Sequence, residues 1–339
     1  MLLRLAHREH HHSPLWTVHN DAVKLTTLAD IDAAATRIAG TAVRTPLLPC
    51  HWADPDRPLW LKPENLQPGG AFKIRGASNA IARIPEADRP RGVVAYSSGN
   101  HAQAVAYVAR SFGMPATIVV PDDTPEVKVA ATRAYGAEVV QVPMPERESA
   151  AYRLVEERGA TLIPPYDHPD VIAGQGTIGR EIVADLPDVD LVLVPVSGGG
   201  LASGVATAVK ALSPGTSVVG VEPALAADAA ASLHAGHLVR WTPQDRARTI
   251  ADGLRAEPSE LTFAHLSKLL DDIVTVTEDE IHAAVATLAN RAHLVAEPSG
   301  AVTTAAYLHR SDLRSGTTVA VISGGNIDPS RLAALLSQA

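Results

Sequence analysis

An α/β fold of two open, twisted, mostly parallel sheets flanked by helices is predicted for this sequence by three observations. From about Leu59 onward, short aliphatic runs alternate with helix-length stretches, the pattern of strand–helix–strand units around a parallel sheet. Hydrophobic residues make up 46% of the chain but aromatic ones only 4%, so the apolar mass lies in Ala, Val, Leu and Ile, as buried parallel strands require. At 339 residues the chain exceeds one ordinary core, which predicts two lobes.

Taken in order, residues 92–97, 116–121, 137–142 and 161–165 read as four strands separated by helix-length segments, forming one small sheet. A second series at 191–196, 217–221, 273–276 and 317–322 forms the larger sheet. Between these strands lie helices, at 201–212 and at 278–293 among others, the latter with apolar residues at helical spacing. No repeat or linker separates the two series. The chain is therefore expected to enter a large lobe over 20–82, build a small lobe over 83–169 and return to the large lobe over 170–339, after a disordered tail at 1–19.

A formal charge of −8 and the lack of any Lys/Arg block argue against a nucleic-acid or anionic-membrane partner and leave small molecules. Cys50, the one cysteine, has no internal disulfide partner. No apolar run reaches the roughly 18 residues of a membrane span, and residues 1–12 lack the apolar core of a signal peptide, so a cytoplasmic protein is expected. His7, His10, His11 and His12 read as a solvated terminus rather than a metal site.

Ligands of open α/β sheets collect where strand ends lead into helix N-termini. Three glycine-containing loops occupy such places: Ser97-Ser98-Gly99-Asn100-His101, Ser197-Gly198-Gly199-Gly200-Leu201 and Ser323-Gly324-Gly325-Asn326. Three consecutive glycines remove every Cβ from the turn at 198–200, so backbone N–H groups there converge on an anion such as a phosphate monoester. Glu222 ends the next strand about twenty residues on, where a dinucleotide-binding unit keeps its ribose carboxylate. A nicotinamide-dependent dehydrogenase would, however, need its third glycine at 203, which is Ser; Gly204 comes one later. Lys73 lies between apolar neighbours at a helix start. Such a setting disfavours the ammonium and frees the amine as a nucleophile toward an aldehyde, although most lysines beside a helix start are solvated.

Six segments occur together: Phe72-Lys73-Ile74-Arg75-Gly76-Ala77, the loop 97–101, Ala173-Gly174-Gln175-Gly176-Thr177, the loop 197–201, Thr249-Ile250-Ala251-Asp252-Gly253 and the loop 323–326. In this order and spacing they resemble the serine racemase and threonine/serine dehydratase family of fold-type II pyridoxal-phosphate enzymes, with a tryptophan-synthase-β-like fold, over about 45–328. The resemblance implies Lys73 as the Schiff-base lysine and α-proton base, and Asn100 on the cofactor's phenolic oxygen. It further implies the Gly198, Gly199, Gly200 and Leu201 backbone on the phosphate, Ser323 facing the pyridine nitrogen and Phe72 covering a ring face. Ser97, Ser98, Gly99, Asn100 and His101 would grip the substrate carboxylate. Ala71 departs from the family, in which many members carry a hydroxyl residue there.

A serine hydroxyl cannot hold the pyridine nitrogen protonated as a carboxylate would, so the ring is a weaker electron sink, suited to losing a β-substituent. The expected reaction is dehydration and deamination of a small β-hydroxy amino acid, threonine, serine or 3-hydroxyaspartate, to a 2-oxo acid and ammonia, by a cytoplasmic homodimer. Racemisation is the alternative. Ser98 bears on the choice: in this family's racemases a serine here stands opposite the lysine, while many dehydratases carry alanine. Its other reading is a contact to the substrate carboxylate. Glu222, the Ala226 carbonyl and Asp228 resemble the divalent-cation site of serine racemase, with oxygen ligands suited to Mg²⁺ or Ca²⁺; otherwise the pair is merely solvated. Arg133, Tyr135 and Arg147 lie near where the family reads the substrate's far end.

Overall fold

The computed structural model describes residues 23–337, so the expected histidine-rich terminus lies outside them. The strands are β1 (Leu48–Pro49), β2 (Leu59–Pro63), β3 (Val93–Tyr96), β4 (Ala116–Pro121), β5 (Glu138–Val142), β6 (Thr161–Leu162), β7 (Leu191–Pro195), β8 (Ser217–Pro223), β9 (Asp272–Val276) and β10 (Thr318–Ile322). They form a four-stranded sheet in the order β5-β4-β3-β6 and a six-stranded sheet in the order β1-β2-β10-β7-β8-β9. Every pairing is parallel except β1 with β2. The fold class and both series of strands are those expected from sequence. Among the described residues, no helix is long and apolar enough to cross a membrane.

The departures are local and have physical causes. The first small-sheet strand starts at Val93 because Gly92 adopts φ +76° and a Cβ there would lie 2.5 Å from the Pro115 carbonyl oxygen. β6 ends at Leu162, since Pro164 and Pro165 have no N–H for the ladder. Helix Glu278–Arg291 opens on a capping box between Thr277 and Glu280 and stops short of residue 293, where His293 turns left-handed at φ +57°. β1 and β2 lie outside the expected series. β1 has two residues, and Lys62 interrupts the aliphatic run of β2 although its side chain is fully buried.

Lys62 belongs to a charge-balanced cluster that anchors helix Lys73–Ala82. The buried Arg75 guanidinium meets Glu64 through Nε and Nη2, both at 2.8 Å, and Glu181 through Nη1 at 2.7 Å and Nη2 at 2.9 Å. Lys62 Nζ donates to Glu181 at 2.6 Å and to the Thr45 carbonyl at 2.6 Å. Thr177 Oγ1 accepts from Arg75 at 3.0 Å, and Gln175 Oε1 accepts from the Gly76 N–H at 3.2 Å. The segment 173–177 is thus accounted for by packing: a Cβ on Gly174 would lie 2.6 Å from the Arg75 carbonyl oxygen. Helix Pro169–Asp185 can press against Lys73–Ala82 only without that side chain.

Candidate active site

The expected residues gather where the chain leaves β3, β7 and β10, at the carboxyl ends of parallel strands. Lys73 is the first residue of helix Lys73–Ala82, behind a turn in which Gly69 and Gly70 take φ +79° and +71°. Its Nζ donates to the Pro165 carbonyl at 2.6 Å and sits 5.0 Å from the centre of the Phe72 ring. Burial pulls the Lys73 ammonium down to about 8, so at neutral to mildly alkaline pH a useful fraction is free amine.

The Lys73 turn is stitched to the loop after β10. Phe72 N–H donates to the Ser323 carbonyl at 3.0 Å, and Gly325 N–H donates to the Gly70 carbonyl at 2.9 Å. Ser323 is buried, with Oγ 3.3 Å from the Ser299 carbonyl. Across from this loop, Gly199 caps helix Gly200–Leu212 in a left-handed conformation at φ +87°. A Cβ on Gly198 would lie 2.5 Å from the Tyr166 ring, and one on Gly200 would lie 2.8 Å from Tyr166 Cβ. The glycines are therefore demanded by close packing, and the same packing leaves their amides bare: no described backbone hydrogen bond uses the N–H of 198–201. Four donors at the positive end of a helix form a cradle fitted to a phosphate.

The loop 97–101 leads from β3 into helix Asn100–Ser111 and is half-buried except at its end. Gly99 N–H donates to Ser97 Oγ at 3.3 Å. His101 is buried beneath the loop, its Nε2 2.8 Å from the Ile163 carbonyl; a carbonyl only accepts, so Nε2 carries the hydrogen and Nδ1, buried without a partner, is bare. Burial and the nearby Lys73 charge push its imidazole down to about 3. His101 is consequently a neutral ring packed in the interior. Asn100 Nδ2 donates to Glu297 Oε1 at 2.6 Å, and Asn100 Oδ1 accepts from Asn326 at 2.9 Å.

Sequence reasoning missed Glu297, Tyr166 and the role of Pro165. Glu297 is buried, and burial followed by the Asp252 charge pushes its carboxyl up to about 7. The one available signal was a carboxylate directly before Pro298 in an otherwise apolar stretch. Pro165 and Tyr166 follow a two-residue strand and join Lys73 to the glycine cradle, a placement that local pattern does not encode.

Of the far-end candidates, Arg133 pairs with Glu126 at 3.3 Å and Tyr135 packs edge-on to Tyr107. Arg147 stacks over Tyr96, 5.7 Å from the ring centre, and its Nε is buried without a partner. At the end of β8, Glu222 is fully buried and accepts from the Ala229 and Ala230 amides at 3.2 and 2.7 Å, a position closed to a ribose. Asp228 opens helix Asp228–Ala235, and its buried Oδ2 has no partner. Burial raises both carboxyls, Asp228 to about 6. Among the described residues, no group of three or more His, Cys, Asp or Glu could hold a metal.

The comparisons with known proteins agree with this geometry. The family described as "Pyridoxal-phosphate dependent enzyme" matches residues 38–324. L-threo-3-hydroxyaspartate ammonia-lyase of Saccharomyces cerevisiae is 42% identical over 92% of this chain and 96% of its own. L-threonine ammonia-lyase of Thermotoga maritima is 48% identical over 80% of this chain and 67% of its own. The structure of maize serine racemase superposes with a TM-score of 0.86 at 37% identity, covering 93% of this chain and 99% of that one. The nicotinamide alternative is set aside, and the chain belongs to the pyridoxal-phosphate dependent enzymes.

Proposed function

We propose that the protein is an ammonia-lyase that removes water and then ammonia from a small β-hydroxy amino acid such as L-threonine, L-serine or 3-hydroxyaspartate. The observation that carries this reading is Lys73, a half-buried, desolvated amine of lowered basicity between a bare-amide cradle and a serine-bearing strand end. Pyridoxal phosphate, when bound, supplies an electron sink conjugated to the substrate's α-carbon. Lys73 would anchor that group and take the substrate's α-proton. The amides of 198–201 would hold its phosphate, Asn100 would offer an N–H to its phenolic oxygen, Ser323 would serve its ring nitrogen and Phe72 would cover its ring. The loop 97–101 binds the substrate carboxylate through Ser97, Ser98 and backbone donors, leaving the buried His101 ring to support the loop.

Racemisation of the same substrates is the second reading, favoured by the half-buried hydroxyl at Ser98 in that loop. Arg147, with its free Nε beside Tyr96, supports a substrate with a second carboxylate, hence 3-hydroxyaspartate. For a divalent cation of the Mg²⁺ or Ca²⁺ class, the unpartnered Asp228 Oδ2 and the buried Glu222 fit oxygen ligation together with the Ala226 carbonyl. The small sheet, within 83–169, would form the substrate-gripping lobe, and 20–82 with 170–339 the cofactor lobe of a cytoplasmic homodimer. A panel of β-hydroxy amino acids assayed for 2-oxo acid and ammonia, beside a chiral assay, tests the proposal. Absence of both products and of any D-isomer would overturn it.

A further inference from the structure

Resting on the cofactor reading above, we propose that Asn326 is a positioning residue: it sets the amide orientation of Asn100 so that one Nδ2 hydrogen faces the cofactor's phenolic oxygen. Asn326 lies in the loop after β10 that also carries Ser323. Its Nδ2 donates to the Gly69 carbonyl at 2.7 Å and to Asn100 Oδ1 at 2.9 Å. A backbone carbonyl can only accept, so the Gly69 oxygen decides which end of the Asn326 amide faces it. The second hydrogen of the same nitrogen then meets Asn100, which must present its oxygen. On the other side, Glu297 Oε1 takes a hydrogen from Asn100 Nδ2 at 2.6 Å. Two of the three polar positions on the Asn100 amide are thereby committed, and one Nδ2 hydrogen is left over.

The surrounding backbone is built to keep this arrangement. Gly70 holds φ +71°, and a Cβ on it would lie 2.4 Å from Asn326 Oδ1. The hydrogen bond from Gly325 N–H to the Gly70 carbonyl fixes the loop against the turn that precedes Lys73. Asn326 therefore ties the Lys73 turn, on the large-sheet side, to the helix that follows β3 of the small sheet. Turning the Asn100 amide over would set N–H against N–H at Asn326 and oxygen against the Glu297 carboxylate.

The test uses the protein loaded with pyridoxal phosphate and reads the ratio of the cofactor's visible band to its near-ultraviolet band, with the thermal midpoint recorded alongside. A donor on the phenolic oxygen favours the form with negative charge there, which absorbs in the visible. Asn326→Asp, nearly isosteric, puts an acceptor against Asn100 and pulls its Nδ2 away. The band ratio should fall about two- to tenfold, the factor for one hydrogen bond. Asn326→Ser, too short to reach Asn100, carries the test independently of how well the first variant folds. Combining Asn326→Asp with Glu297→Gln should give less than the product of the two effects, since both act on one amide. An unchanged ratio in both single variants overturns the role of Asn326 alone. An unmodified protein that gains no visible band with pyridoxal phosphate overturns the cofactor reading itself.

Discussion

Replacing Arg75 with methionine should destabilise the protein by about 3–5 kcal/mol at neutral pH, the cost of breaking a buried ion cluster by removing one partner. Methionine keeps the apolar stem but not the buried guanidinium, so a cavity cost adds to the electrostatic one, and the pH dependence separates the two. Arg75 makes four contacts of 2.7–2.9 Å to the carboxylates of Glu64 and Glu181. Without it, two buried carboxylates share the single charge of Lys62. With about 2–4 °C per kcal/mol, the thermal midpoint should fall by on the order of 10 °C. The pH dependence identifies the cause. In the unmodified protein, burial alone would raise the Glu64 carboxyl, but the Arg75 charge and hydrogen bonds overcome this and hold it below 4.5. Its ionised form therefore adds stability above the ordinary carboxylate range, and that stability is lost as pH falls through the depressed value. In the variant the same carboxyl has lost its main partner and rises, so protonation relieves the penalty as pH falls. Denaturant melts of both proteins between about pH 8 and about pH 5 should show the gap closing toward the acid end. A gap that is constant with pH, or smaller than about 1 kcal/mol at neutral pH, would refute the electrostatic account.

Lys73→Ala should abolish both the visible band with pyridoxal phosphate and turnover. In the unmodified protein the rate of cofactor capture should climb as pH rises through about 8, since the neutral amine is the nucleophile; a flat profile contradicts the lowered basicity. Ser98→Ala should remove D-isomer formation and solvent-deuterium exchange into it while sparing most elimination of the L-substrate, measured by paired chiral and 2-oxo acid assays. Equal loss of both activities would assign Ser98 to substrate binding. Chelator should lower the thermal midpoint and Mg²⁺ or Ca²⁺ should restore it, because a ligand held only by the folded state adds stability by mass action; Asp228→Ala should remove that response. Indifference to chelator would remove the cation from this account.

Strand positions in both sheets were legible because parallel strands buried on both faces read as uninterrupted aliphatic runs. β4 spans the expected residues 116–121 for this reason. β2 was not legible, because its Lys62 is neutralised only by residues distant in sequence, with Glu181 119 positions away. The 173–177 segment is instructive in another way: it stands among motifs that carry chemistry, yet its Gln175 and Thr177 brace helix Lys73–Ala82. A motif records that certain residues are required without saying whether packing or reaction requires them.

The fold class, the lysine at a helix start, the three glycine-bearing strand ends and, through six ordered segments, the family were all legible in the amino-acid sequence. These are local: backbone freedom at glycines, aliphatic periodicity and short-range spacing are properties of neighbouring residues. It took the folded chain to bring the half-buried Lys73 amine against the Pro165 carbonyl, to enclose His101 as a neutral interior ring, and to join Glu297 and Asn326 to Asn100 across sequence separations of 197 and 226. Burial and hydrogen-bond partnership set basicity and amide orientation. Both depend on which distant segments the two sheets bring together.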